Sequence, residues 1–379
     1  MGNMESYLDW RGDITFDVDP FNIVDAVILC QLIYTDFEGF VPPMGSGESV
    51  SIEEVCERYF NAYTDEEIIS RKIYTRMSPF LMRRMVKSKR YAGLRLSNYV
   101  DEVDLDSDIQ LSAVTYHLSD GSLFIGYRGT DSTLAGWKED LMLSYQVGTN
   151  GQLASAIYLN YIRKMFPDVP ILRVGGHSKG GNFAVYAACC CNEEAGARIR
   201  KVYNLDGPGF SKEFVERPEY TRLIPKTESV SPEVALVGCL FESKLKTYYV
   251  ESTEKFLLQH DMFSWQVLAN HMVVTENRAP ISYKVEYMVD EWLLTLDEDT
   301  KASVIDTAFD ILSEAESDTF PELTDDLFGN VGKIWSAAMN LPKDKQKEGL
   351  STIVKMLKAG GSAILSKNED IVPDNSTKL

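Results

Sequence analysis

The feature that most constrains this chain is a glycine-framed serine at residues 176–181, which read Gly-His-Ser-Lys-Gly-Gly. An apolar stretch at 170–175 precedes it and a run of small residues at 180–191 follows it, so it joins a predicted strand to a predicted helix. Glycines at 176 and 180 permit a sharp turn where side chains would collide with neighbouring backbone. The pattern predicts a strained Ser178 above the carboxyl edge of a sheet, with the amino end of a helix aimed at it.

Strands and helices alternate around this turn. A hairpin is predicted over 109–127, a helix over 153–166, and further strands over 201–205, 221–225 and 245–251. Alternation of this kind implies a mostly parallel sheet with helices on both faces. The fold class predicted from the pattern is therefore α/β.

The chain of 379 residues is long enough for one large domain with helical additions. Residues 1–92 are predicted to form an N-terminal helical segment or cap, with an apolar helix from Asn22 to Tyr34. We expect the core to span 93–280 and a C-terminal helical segment with a frayed tail to span 281–379.

The net charge indicates which classes of partner the protein binds, and the cysteine content indicates its cellular compartment. The formal net charge of −19 argues against nucleic acid as a partner and against electrostatic docking on anionic membranes. No apolar stretch is long enough for a transmembrane helix, and the first residues lack a signal-peptide pattern. Six cysteines without a Cys-x-x-Cys pattern are typical of reduced thiols, so a cytoplasmic location is predicted.

A second motif lies upstream of the serine turn. Residues 124–130 read Phe-Ile-Gly-Tyr-Arg-Gly-Thr, and residues 136–141 read Gly-Trp-Lys-Glu-Asp-Leu. Together with 176–181 these motifs resemble the fungal-lipase-like (class 3) triacylglycerol lipases and feruloyl esterases, over roughly residues 93–275. The whole chain resembles a bacterial branch of that superfamily. Lys179 departs from the apolar residue that is usual after the serine.

The resemblance implies an α/β-hydrolase fold and an acyl-transfer site. Ser178 would be the nucleophile, and the backbone N–H of Lys179 would be one oxyanion donor. The resemblance places the second donor at Thr130. It also suggests that Trp137 packs in the core and that Asp140 anchors Arg128 or its loop.

Chain order selects the base from the four histidines. The histidine of this fold follows the last strand, and His260 lies in such a place. His271 is the alternative, in a segment where a structural role is more common. His117 comes too early in the chain, and His177 is too close to Ser178 in sequence to serve it as a base.

Two carboxylates remain open as the acid that would orient the histidine. Asp206 ends a predicted strand before a Gly-Pro turn, which places it at the active edge of the sheet. Glu228 lies nearer the position where the lipase family carries its Asp. We favour Asp206 over Glu228.

These residues predict a serine hydrolase that cleaves carboxylic esters through an acyl-enzyme on Ser178. No metal or organic cofactor is implied. The expected substrate is a small-molecule or lipid-like ester, although a basic Lys179 beside the nucleophile also suits an anionic acyl group. Two alternatives stay open: a non-catalytic binding protein of this fold, or a hydrolase of thioester, peptide or lactone bonds.

Overall fold

A single eight-stranded sheet organises the part of the chain that the computed structural model describes, which comprises residues 2–71, 75–104, 109–130, 143, 148–283 and 286. Its strands lie in sequence order. The first four pair antiparallel, and the fourth to eighth pair parallel. The strands are β1 (Val50–Ser51), β2 (Arg95–Asp104), β3 (Ile109–His117), β4 (Leu123–Tyr127), β5 (Leu172–His177), β6 (Ile199–Leu205), β7 (Thr227–Pro232) and β8 (Thr247–Val250).

Helices cover both faces of this sheet, as the alternating sequence pattern predicts. N-terminal helices lie on one face and crossover helices on the other, each with its own apolar core. The N-terminal helices are α1 (Met4–Arg11), α2 (Ile23–Leu32), α3 (Ile52–Ala62), α4 (Asp65–Ile69) and α5 (Phe80–Met85). The crossover helices are α6 (Asn150–Met165), α7 (Lys179–Cys190), α8 (Glu193–Arg198), α9 (Lys212–Val215) and α10 (Pro218–Leu223).

Strand β4 shows how the two cores are separated. Phe124 faces the N-terminal helices, whereas Leu123, Ile125 and Tyr127 face the crossover helices. Successive side chains of a strand point to opposite faces, so a central strand with helices on both sides is apolar throughout. All five residues of β4 are buried, in agreement with this requirement.

Helix α2 is the most deeply buried of the N-terminal helices described. All ten of its residues are buried, as expected for a helix that is apolar on every side. Asn22 begins it with a capping box, in which its side chain accepts from the Asp25 backbone N–H and the Asp25 carboxylate accepts from the Asn22 N–H. The helix predicted from 22 to 34 is thus confirmed, and it packs directly on the sheet.

The strand predicted over 221–225 is wrong. Helix α10 occupies Pro218–Leu223, a 3₁₀ turn covers Ile224–Lys226, and the strand is β7 at Thr227–Pro232. Pro218 stands at the first helical position, where its fixed φ favours a helix. β7 carries few apolar residues, and the Ser229 hydroxyl on this strand lies 2.9 Å from the Thr247 hydroxyl on β8.

A small two-stranded sheet follows the main one. It is formed by β9 (Val267–Leu268) and β10 (His271–Met272), and Gly2 forms a bridge to Val267. The predicted domain boundaries at 92 and 280 stay predictions, and most of the predicted C-terminal segment lies outside the described residues. Within the described ranges, every helix is too short or too polar to cross a bilayer.

Candidate functional site

Ser178 occupies the sharp turn between β5 and α7. Its backbone has φ 59° and ψ −134°, a sparsely populated conformation for a residue with a side chain. The turn is fixed by two hydrogen bonds, from the Ser178 N–H to the Leu205 carbonyl (2.9 Å) and from the Gly181 N–H to the Ser178 carbonyl (2.8 Å). The strained serine that the motif predicts is therefore present.

The two framing glycines are required by close backbone contacts. A Cβ at Gly176 would lie 2.1 Å from the Gly180 carbonyl oxygen. A Cβ at Gly180 would lie 2.2 Å from the Tyr127 carbonyl oxygen on β4. Strand, turn and helix can meet this closely only because both positions lack a side chain.

His260 and Asp206 form a short hydrogen-bonded pair at the same edge of the sheet. Asp206 follows β6, the neighbour of β5, and its carboxylate is 2.6 Å from Nδ1 of His260. The carboxylate is almost fully buried, and its other oxygen accepts from the Gly238 N–H at 3.1 Å. A carboxylate only accepts, so in its neutral form His260 carries its proton on Nδ1 and has a lone pair on Nε2.

The turn at Asp206 brings this pair close to the serine. Asp206 has φ 48°, and Gly207 follows it. A Cβ at Gly207 would lie 2.8 Å from the Ser178 carbonyl oxygen, so the two turns pack directly against each other. Of the two candidate acids, the structure brings Asp206 to His260.

Glu228 lies elsewhere. It is near the start of β7, and its carboxylate forms an ion pair with Lys201 at 3.2 Å. Both side chains are about a third exposed. Its position at the beginning of a parallel strand is at the opposite edge of the sheet from the turns at Ser178 and Asp206.

The loop that carries His260 is anchored by its neighbours. His260 ends a 3₁₀ turn at Phe256–His260. Trp265, which is fully buried, donates from its indole nitrogen to the Gln259 carbonyl at 2.8 Å. The Gln259 side chain accepts from the Val234 N–H at 2.9 Å. These bonds hold the turn independently of the bond to Asp206.

His177 is a residue of the site to which sequence reasoning gave no role. Its Nε2 lies 2.9 Å from the His260 carbonyl oxygen, and its Nδ1 lies 2.9 Å from the Tyr34 hydroxyl. The two imidazole rings are 4.4 Å apart between centroids. Burial, followed by the neighbouring His260, lowers the pKa of His177 well below its ordinary value. In the sequence, the position of His177 directly before Ser178 in the turn motif could have indicated a role in the site.

The two predicted oxyanion donors are Lys179 and Thr130. The backbone N–H of Lys179 begins α7 directly after Ser178. A Cβ at Gly129 would lie 2.9 Å from the Ser178 Cβ, so the loop that continues into Thr130 passes directly against the serine. Thr130, the next residue along the chain, is half-buried, and its role as an oxyanion donor stays a prediction.

The Lys179 side chain is turned into the protein. It is almost fully buried, and its Nζ donates to Oε1 of Gln110 on β3 at 2.5 Å. The ammonium group also lies over the Phe183 ring, 5.6 Å from its centroid.

The upstream motif is described only in part. The Arg128 guanidinium donates two hydrogen bonds, at 2.9 and 2.8 Å, to the Asp101 carboxylate on β2 in a bidentate arrangement. Asp101 thus anchors the loop that leads to Thr130. The predicted roles of Trp137 and Asp140 fall outside the described residues.

Among the described residues, neither of the remaining histidines forms a hydrogen bond with the serine turn. His271 is an exposed residue of β10. His117 ends β3 and bonds through Nε2 to the Ser97 hydroxyl at 2.8 Å. β3 runs antiparallel to β4, so its last residue is at the opposite edge from the turn after β4.

Between the described residues, no hydrogen bond within 3.5 Å joins the Ser178 hydroxyl to His260. The distance between the Ser178 hydroxyl and His260, whose bond would complete a Ser-His-Asp triad, is therefore longer than a hydrogen bond in this structure. Such bonds are often long in the absence of substrate and shorten when it binds.

Comparison with known proteins identifies the family of the chain. The family model described as Mbeg1-like matches residues 85–310, which is more than half of the chain. No curated protein sequence matches the chain.

Solved structures similar to this chain include three lipase structures. The Rhizomucor miehei lipase in complex with its propeptide is 18% identical, with a TM-score of 0.33, over 41% of this chain and 57% of the lipase. A fungal lipase–inhibitor complex is 19% identical, with a TM-score of 0.34, over 41% and 66% of the two chains. M37 lipase is 14% identical, with a TM-score of 0.34, over 62% and 93%. This chain thus spans little more than half of the Rhizomucor lipase.

The sheet order, the serine turn after β5 and the family match lead to one assignment. The chain belongs to the Mbeg1-like family and has the fold of the fungal-lipase-like α/β-hydrolases.

Proposed function

We propose that this protein is a serine hydrolase that cleaves carboxylic esters through an acyl-enzyme on Ser178. The observation that carries the proposal is the convergence at one sheet edge of a strained serine turn and a histidine bonded to a buried carboxylate. A serine without a neighbouring base cannot readily lose its hydroxyl proton, whereas a histidine with a free Nε2 can accept that proton.

In the proposed reaction, Ser178 Oγ attacks the ester carbonyl carbon while Nε2 of His260 accepts the hydroxyl proton. Asp206 holds the imidazole by its Nδ1–H and stabilises the imidazolium that forms. The proton then passes to the leaving alcohol as the tetrahedral intermediate collapses. A water molecule, activated by the same histidine, attacks the acyl-enzyme and releases the acid.

Negative charge on the carbonyl oxygen would be stabilised by the backbone N–H groups of Lys179 and Thr130. The first lies at the amino end of α7, where the helix dipole also favours negative charge. Fixed donors of this kind contribute about 3 kcal/mol each to the lowering of the barrier.

For the substrate, we infer a lipid-like ester, because the motifs at 124–130 and 176–181 resemble those of lipases. An anionic acyl group is less favoured, since the Lys179 ammonium is bonded to Gln110 and packed on Phe183.

A fluorophosphonate probe tests the nucleophile, since it labels a serine activated by a neighbouring base. We expect the wild-type protein to be labelled and Ser178→Ala to be unlabelled. Ser211→Ala is the matched control, because Ser211 only caps α9 and should leave labelling unchanged. An unlabelled wild-type protein would identify a non-catalytic member of the fold.

A panel of p-nitrophenyl esters with acyl chains of increasing length tests the substrate class. We expect kcat/KM to rise with chain length as more apolar surface is buried. Equal values at every length would rule out the lipid-like substrate while leaving the nucleophile untouched. Thioester, peptide and lactone substrates tested in parallel would show which bond is cleaved fastest.

A further inference from the structure

The hydroxyl of Tyr34 connects the N-terminal helices to the candidate site. Tyr34 follows α2 and is buried, with its hydroxyl 2.9 Å from Nδ1 of His177. The same oxygen would be 2.4 Å from a Cβ at Gly129, so it also touches the loop that leads to Thr130. One phenol oxygen therefore contacts both the serine turn and the oxyanion loop.

Hydrogen-bond chemistry fixes the tautomer of a neutral His177 ring. The His260 carbonyl oxygen can only accept, so Nε2 of His177 carries a proton and donates to it over 2.9 Å. In a neutral ring Nδ1 then holds a lone pair, which accepts the Tyr34 hydroxyl proton. The chain of bonds runs from the Tyr34 hydroxyl through His177 to the backbone of His260.

A neutral His177 suits the proposed reaction. His260 gains a positive charge when it takes the serine proton, and the two ring centroids are only 4.4 Å apart. A second charge at that distance would oppose the first, because like charges disfavour each other's ionisation. Burial also disfavours a charge on His177, and in the neutral ring the Tyr34 hydroxyl donates to Nδ1.

We propose that Tyr34 and His177 are positioning residues, which hold the backbone of His260 so that its ring is directed towards Ser178. This inference rests on the proposed function. Asp206 fixes the ring of His260 at Nδ1, and the donor from His177 fixes its carbonyl, so the residue is held at both ends. Helix α2 thereby takes part in the geometry of the site, although it lies outside the core predicted from the sequence.

A positioning role for Tyr34 predicts a change in rate without unfolding of the turn. The turn that carries His260 is also anchored by Trp265 and Gln259. Loss of the Tyr34 hydroxyl should therefore leave the turn folded while the orientation of His260 becomes less well defined. Misplacement of a catalytic group lowers the rate of the chemical step more than it lowers substrate binding.

Tyr34→Phe tests the proposal, since it removes one oxygen and keeps the ring. We expect kcat and the rate of fluorophosphonate labelling to fall about tenfold, the effect of one lost hydrogen bond in the transition state, with KM unchanged. Tyr116→Phe is the matched control, because it likewise removes a buried, hydrogen-bonded tyrosine hydroxyl, one that donates to the Leu29 carbonyl of α2 (3.1 Å). We expect Tyr116→Phe to keep the wild-type kcat while its Tm falls about as much as that of Tyr34→Phe.

A rescue experiment at His177 distinguishes positioning from packing. His177→Gln places an amide donor near the position of Nε2 and should retain most of kcat, whereas His177→Leu should lose about tenfold or more. Equal kcat in Tyr34→Phe and the wild-type protein would overturn the inference while labelling of Ser178 stands. Absence of labelling in the wild-type protein would instead overturn the proposed function.

Discussion

At the residue scale, the site depends on two positive-φ turns that follow neighbouring parallel strands. Ser178 after β5 has φ 59°, and Asp206 after β6 has φ 48°. Neither residue is a glycine, and a strained conformation costs about 1–3 kcal/mol. The surrounding hydrogen bonds and the adjacent glycines hold both turns in place. The strain places a hydroxyl and a carboxylate at one edge of the sheet.

Substitution of the two candidate acids separates their roles. Asp206→Asn should lower kcat by about 10²- to 10⁴-fold, because an amide cannot stabilise the imidazolium and favours the wrong tautomer. Glu228→Gln should leave kcat unchanged, since Glu228 pairs only with a partly exposed Lys201 among the contacts described. Steady-state kinetics on one ester substrate provides the measurement. Equal losses in the two variants would contradict the assignment of the acid.

At the element scale, the path of the chain from β5 through Ser178 into α7 was predictable because it depends on local sequence. Glycines at 176 and 180 and the small residues of α7 all lie within about four turns of helix from the serine. By contrast, β7 was missed, because its sequence is polar and the proline-initiated α10 precedes it. A strand formed through pairing with β6 and β8 has little local signal.

Alanine substitutions at two glycines test the tight packing of the serine turn. Gly180→Ala should destabilise the fold and abolish labelling of Ser178, because its Cβ would lie 2.2 Å from the Tyr127 carbonyl oxygen. Gly196→Ala in α8 is the control, since its nearest contact would be an ordinary 3.7 Å. That control should be stabilised by about 0.5–1 kcal/mol through helix propensity. Thermal unfolding and probe labelling together measure both effects, and a neutral Gly180→Ala would contradict the close approach.

At the scale of the whole molecule, the N-terminal helices form one of the two layers that cover the sheet. The Arg90 guanidinium, fully buried, bonds to the Asp25 carboxylate of α2 at 2.7 and 2.6 Å. The Tyr91 hydroxyl donates to the same carboxylate at 2.8 Å. A buried ion pair needs such additional bonds to offset the cost of desolvation. This network joins α2 to the chain that enters β2.

Folding stability should depend on pH through a histidine far from the site. Burial, followed by the charge of Arg95, lowers the pKa of His117 to about 4. The unfolded chain, with a histidine pKa near its ordinary value of about 6.5, binds more protons between these two pH values. The free energy of unfolding therefore decreases as the pH falls from 6.5 towards 4. His117 accounts for about 3 kcal/mol of this decrease.

Urea unfolding at pH 7 and at pH 4.5 measures this effect. His117→Gln keeps a hydrogen-bonding side chain without a titrating group, so the loss of unfolding free energy between the two pH values should shrink by about 2 kcal/mol. His271→Gln is the control, because the His271 side chain is exposed. An unchanged pH dependence in His117→Gln would show that another group accounts for it. His177 acts in the same direction, since its pKa is also lowered.

The sequence by itself determined the α/β class, the serine turn and the position of His260 in the chain, because each follows from local periodicity, turn chemistry or chain order. Only the tertiary structure decided that Asp206 rather than Glu228 meets His260, and that His177 and Tyr34 support that histidine. These contacts join residues 54, 83 and 143 positions apart in the chain. Such contacts depend on which strand ends and helix ends the folded sheet brings together, and the local sequence around each residue does not predict this.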